Sequence, residues 1–211
     1  MLATLVIVLG LAAEMAGWWL VSAHGRDVWR LMPVVLVGMA AAASLMERGQ
    51  LAWGTAAGAA IGAAVGLALY VGTRLFVWAA NHWEPFRRQV AAEYGQAATI
   101  TLTRSLVLSL VVMVPAEELF WRAFTQARLD AAWGAAGGAV AAWFLYVVAN
   151  VPSRSLPIVA GAIVGGGVWV ALWWAAGGVL APLGSHILWT GLMLVLPPGA
   201  GPKVGPEVGQ P

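Results

Sequence analysis

The chain has no cysteine, which excludes thiol catalysis, disulfide bonds and cysteine-ligated metals. Charge is almost as scarce. Only 9% of the 211 residues are Asp, Glu, Lys or Arg, against about 25% in a soluble domain. Of the basic residues, only Lys203 is a lysine. A net charge of +2 with no basic stripe argues against a nucleic-acid partner. There is no HExxH pair, and one histidine with two carboxylates is a thin ligand set for zinc. Neither a metal nor a cofactor is expected. No long internal repeat is visible, which disfavours an inverted-repeat transporter.

Apolar residues take the space that charge leaves, at 61% of the chain. A membrane crossing needs about 20 of them in a helix. The expected fold class is therefore all-α, a polytopic transmembrane helical bundle of about seven spans, with six to eight compatible. Candidate spans are 2–23, 31–46, 51–72, 105–124, 133–150, 156–176 and 179–197. The first lacks a basic leader and is long for a signal peptide, so it reads as a retained span. The charged stretch 73–104 reads partly as loop or interfacial helix, with 75–80 either extending the third span or lying flat. Thirteen tryptophans suit the headgroup level of a bilayer. Gly54, Gly58, Gly62 and Gly66 mark a smooth helix face that allows close approach of another helix. The expected division is 1–97 for N-terminal spans and a connecting segment, 98–197 for a core, and 198–211 for a Pro/Gly-rich disordered tail. Arg26, Arg30, Arg87, Arg88, Arg154 and Lys203 fall on one side of seven spans, which would be cytoplasmic. Arg48, Arg122 and Arg128 fall on the other. Ala- and Gly-rich spans with Arg far above Lys suggest the plasma membrane of a high-GC bacterium.

Residues 115–124 read Pro-Ala-Glu-Glu-Leu-Phe-Trp-Arg-Ala-Phe. A charge at mid-bilayer costs about 2.5–3.5 kcal/mol on insertion scales, so charges retained there are candidates for function. Pro115 predicts a kink near residue 111, because proline removes a donor and clashes one turn back. Glu117 and Glu118 lie about 100° apart around the helix. Glu118 can pair with Arg122 at i,i+4, which leaves Glu117 to face a cavity as acid or base. A purely structural ion network is the competing reading. His186 sits well inside the last apolar run, and Thr190 follows it one turn later. Asn150 ends the fifth candidate span, either as a helix cap or as an amide for a water or a carbonyl oxygen. His24 and His82 flank charged loops and read as interfacial. Glu14, within the first span, has no local partner that would account for it.

Glu117-Glu118-Leu-Phe-Trp-Arg122, Tyr146-Val-Val-Ala-Asn150 and His186-Ile-Leu-Trp-Thr190 occur in this order around a Gly-rich helix. Over roughly 98–197 the pattern resembles the CAAX protease and bacteriocin-processing (Abi) family of glutamate-type intramembrane proteases. That family is similar to the eukaryotic endopeptidase that trims prenylated CAAX tails. The resemblance implies that Glu117 is the general base for water and that His186 steadies the oxyanion. Glu118 and Arg122 come with the motif. Two positions depart from the family pattern. Asn150 stands where the family has a histidine that helps hold the water, and Thr190 where it has an asparagine. An amide at 150 can orient water but cannot accept its proton. Losing one oxyanion donor costs about 10²–10³ in rate. The expected activity is endopeptidase cleavage of a membrane-anchored protein tail or peptide, with the lipid bilayer as the other partner. Bacterial relatives suggest peptide maturation, immunity or a myxosortase-like role. A non-catalytic scaffold or immunity protein of the same fold is the alternative, and a proton-coupled transporter a further one.

Overall fold

The computed structural model describes residues 1–47 and 51–198. Arg48, Lys203 and nearly all of the expected 198–211 tail lie outside the described residues. Among those described, the structure is helical with no strand. It runs Leu2–His24, Val28–Glu47, Ala56–Ala80, Glu84–Ala97, a continuous stretch Leu102–Ser153, Leu156–Ala176 and Leu180–Val195. Five of these segments are long and apolar enough to cross a membrane, and Leu180–Val195 is a shorter apolar helix.

The 52-residue stretch Leu102–Ser153 is not one rod. A straight helix of that length would extend about 78 Å, more than twice the hydrocarbon thickness. Gly134 breaks it with φ 75° and ψ 160°, a conformation that only glycine adopts without strain. The chain reverses there into an outgoing arm, 102–133, and a returning arm, 135–150. The Tyr146 hydroxyl consequently meets Glu117, 29 positions back, at 3.3 Å. A continuous helix would hold these residues about 44 Å apart.

The third helix starts at Ala56 instead of the expected 51. Residues 51–54 stay non-helical because carbonyls among them have other work. Ala52 and Trp53 accept the amides of Val179 and Leu180, capping the start of the last helix at 2.9 Å each. Thr55 then caps the third helix by accepting the Gly58 amide. At its other end this helix continues through 75–80 to Ala80. Glu84–Ala97 is a separate polar helix with Pro85 in its first turn. It is tied to the bundle by Trp29 Nε1 to the Gln96 carbonyl and by the Leu156 amide to Gln89. Around residue 111, where a kink is expected, the backbone is a π-helix, Leu108–Met113, just before Pro115.

Arg26, Arg30, Arg87, Arg88 and Arg154 all lie at the end of the bundle where the first helix stops and the returning arm arrives. Ser22 donates to the Pro152 carbonyl there at 2.7 Å. Arg128 pairs with Glu47 at the opposite end. Large apolar side chains such as Leu45, Ile61, Trp78 and Phe144 point outward, as a lipid-facing surface requires.

The glycine face works as a seam. A methyl group on Gly62 would collide with the Ala181 carbonyl, and one on Gly66 with Ser185. The third and last helices thus touch backbone to backbone, and Trp189 Nε1 donates to Thr73 across the same contact. One core joins both halves of the chain. Ile7, Leu36 and Met39 pack with Phe120, Trp121, Tyr146, Trp169 and Ala181. Gly62→Ala should therefore destabilise the protein by about 1–3 kcal/mol. Gly72→Ala, where the added carbon meets nothing within 4 Å, should be neutral or slightly stabilising. Thermal unfolding of the two variants in the same detergent measures the contrast.

Candidate active site

The outgoing arm delivers Glu117, Glu118 and Arg122, and the last helix delivers His186. Because Glu117 and Glu118 point in different directions, an imidazole arriving from a facing helix can lie between them. His186 Nδ1 is 2.8 Å from Glu118 Oε1, and its Nε2 is 3.9 Å from Glu117 Oε2. A carboxylate only accepts, so Nδ1 carries a proton and Nε2 is the atom turned toward Glu117. The ring lies flat on Trp169, with centroids 3.6 Å apart and planes at 17°. One hydrogen bond and one stacked face fix its orientation.

The 3.9 Å between Nε2 and Glu117 is too long for a direct hydrogen bond and short enough for one water to reach both groups. Exposure separates the two acids. The Glu117 side chain is 12% exposed, Glu118 is fully buried and His186 is 6% exposed. Glu117 also accepts the Tyr146 hydroxyl.

Arg122 lies near Glu118 as expected, but the contact is looser than an ordinary i,i+4 pair. Its Nε is 3.5 Å from Glu118 Oε2 with no hydrogen-bond geometry, and the nearest partner of Glu118 is His186. The reason is local. Residues Leu119–Gln126 form a π-helix, whose i→i+5 turns no longer stack position 122 above 118. The buried guanidinium lies instead over the Tyr146 ring at 4.5 Å, with Trp169 at 5.4 Å. Such faces stabilise a desolvated cation.

Asn150 makes no hydrogen bond to Glu117, Glu118, Arg122 or His186 among the described residues. Its Nδ2 donates to the Tyr146 carbonyl at 2.9 Å, a cap within its own helix, and to Glu14 Oε1 at 3.4 Å. Thr190 lies on the His186 face of the last helix, half-buried and with no hydrogen bond among the described residues. Sequence reasoning passed over Trp169 and Trp121, used Tyr146 only as the aromatic of a motif, and had no account of Glu14. One usable signal was the flanking of Glu14 by Gly10 and Gly17, at i−4 and i+3, which marks that face as a close-packing one.

Residues 99–192 match the family model described as type II CAAX prenyl endopeptidase Rce1-like. Over this segment the chain is similar to that family. The segment covers a little under half of the chain and holds Glu117, Glu118, Arg122, Tyr146, Asn150, His186 and Thr190, but not Glu14. The Rce1-like family is a protease family, which supports peptidase activity at that level. No curated protein and no solved structure matches the chain.

The exposure difference between the acids is directly measurable because the chain has no cysteine of its own. A water-soluble thiol reagent should modify the Glu117→Cys variant. It should modify Glu118→Cys at least about tenfold more slowly, since reaction there requires local opening. Labelling rates in detergent or nanodiscs give the ratio.

Proposed function

We propose that the chain is a glutamate-type intramembrane endopeptidase. The observation that carries this reading is the His186 imidazole held by Glu118 through Nδ1, with Nε2 turned to a partly exposed Glu117. Glu117 would take a proton from a water lying between its carboxylate and the peptide carbonyl. The hydroxide attacks the carbonyl carbon, and the oxygen of the tetrahedral intermediate becomes an anion. In this step His186 serves as the imidazolium: its Nδ1–H stays on Glu118 and its Nε2–H donates to that oxyanion. Thr190, one turn away, is the second candidate donor. Collapse of the intermediate breaks the C–N bond, and Glu117 returns its proton to the leaving amine. No step calls for a metal.

Residues 98–197 are the catalytic core in this reading, and 1–97 wall and brace it. Asn150 does not orient the water in this reading, since its amide N–H groups go to Glu14 and the Tyr146 carbonyl. The substrate class that fits is a membrane-anchored protein tail or peptide whose scissile bond reaches the bundle interior. The arginine-rich end is cytoplasmic by the positive-inside rule, in a bacterial plasma membrane.

The test uses the purified chain in nanodiscs, with two probes followed by mass spectrometry. One is a farnesylated CAAX peptide and the other a set of single-span peptides with polar tails. The wild-type chain should release a new terminus from at least one of them. Glu117→Gln should lower the rate by about 10²–10⁴ with an unchanged melting profile. His186→Gln should lower it by about 10²–10³. Cleavage that survives Glu117→Gln, or none by the wild type on either probe, would overturn the proposal and favour a non-catalytic scaffold.

A further inference from the structure

Glu14 lies on the first helix, outside the Rce1-like segment, and is fully buried. The approach that brings it into the core depends on the glycine one turn before it. A side chain on Gly10 would collide with the Phe120 ring, so the first helix can lie directly against the outgoing arm. At that distance Glu14 reaches two donors from two different arms. Its Oε2 accepts Trp121 Nε1 at 2.9 Å, and its Oε1 accepts Asn150 Nδ2 at 3.4 Å.

Both donors act on the same residue. The Trp121 ring packs edge-on against the Tyr146 ring, with centroids 5.6 Å apart. The other hydrogen bond of Asn150 Nδ2 goes to the Tyr146 carbonyl. Tyr146 in turn donates its hydroxyl to Glu117. We infer that Glu14 is a positioning residue for Glu117: its carboxylate holds the Trp121 indole and the Asn150 amide, and these together hold the Tyr146 hydroxyl against the Glu117 carboxylate. The consequence for activity rests on Glu117 being the acid–base group, whereas the positional link does not.

The geometry specifies what residue 14 must be. Two donors arrive at two different oxygens, so the side chain must accept at both ends. Aspartate does so on a shorter stem. Glutamine has the right length and shape, but its amide nitrogen would face a donor. A role in packing ranks glutamine above aspartate, and a role in holding two donors ranks aspartate above glutamine.

Two measurements read this. On whichever probe peptide the wild type cleaves, Glu14→Gln should lower kcat about tenfold with KM little changed, the size of a lost charge-assisted hydrogen bond. Glu14→Asp should retain more activity than Glu14→Gln. In a Tyr146→Phe background, Glu14→Gln should add no further loss, because the link it serves is already cut. The second measurement needs no activity. In the Glu117→Cys chain the acceptor carboxylate is gone but the Tyr146 side chain still lies beside position 117, so loosening it by Glu14→Gln should speed modification by a water-soluble thiol reagent about fivefold, the size of one lost Glu14 hydrogen bond. Glu14→Asp should change that rate less. If Glu14→Gln does not fold, Trp121→Phe cuts the same link and must move the labelling rate of the introduced thiol in the same direction.

An unchanged labelling rate in the folded variants, or aspartate performing worse than glutamine, overturns the inference. So does a loss that multiplies with that of Tyr146→Phe. A wild type that cleaves neither probe, together with the expected change in labelling of the Glu117→Cys chain, overturns the endopeptidase reading and leaves the positional link standing.

Discussion

An imidazole can be held between two carboxylates of a neighbouring helix only if the two backbones stay in register to a fraction of an ångström. His186 meets that requirement through a bond from Nδ1 to the buried Glu118 and a flat contact with Trp169. If either partner moved, Nε2 would no longer face Glu117. Most of the bundle is arranged around keeping the last helix in place. Its first amides are capped by the carbonyls of Ala52 and Trp53, and its flank is pressed into the glycine seam of the third helix. The N-terminal half therefore sets the position of a histidine more than a hundred residues further along the chain.

Desolvation explains why each buried polar group is partnered as it is. A lone buried charge is expensive in hydrocarbon, whereas one that meets donors, counter-charges or aromatic faces can be kept. Arg122 meets Glu118 and the faces of Tyr146 and Trp169, and Glu14 meets Trp121 and Asn150. The aromatic residues fill the interior and at the same time present ring faces or indole N–H groups to the charges. Glu117 alone among these acids keeps partial exposure, at the place where a water can reach both it and His186.

Much of this was legible in the chain. Charges inside apolar runs are rare enough that Glu117, Glu118, Arg122 and His186 could be picked out one by one, and the glycine spacing marked the third helix as a packing surface. The position of Pro115 pointed to the backbone irregularity that the π-helix Leu108–Met113 supplies. The start of the third helix was misread because hydropathy does not register that the carbonyls of Ala52 and Trp53 are needed by residues 179 and 180. The spacing of Glu118 and Arg122 assumed α-helical turns, and the π-turns of Leu119–Gln126 loosened that pair.

Composition and pattern alone determined that the chain is an all-helical membrane bundle, and singled out the handful of charges inside its apolar runs. Hydrocarbon leaves few alternatives for a backbone that must satisfy its own hydrogen bonds. The tertiary structure decided which of those charges meet. Glu14 and Asn150 are separated by 136 positions, Glu118 and His186 by 68, and Tyr146 returns to Glu117 through a turn at Gly134. No local periodicity encodes such pairings, because they arise from how closely whole helices approach, and that distance is set by small residues and bulky rings on several helices at once.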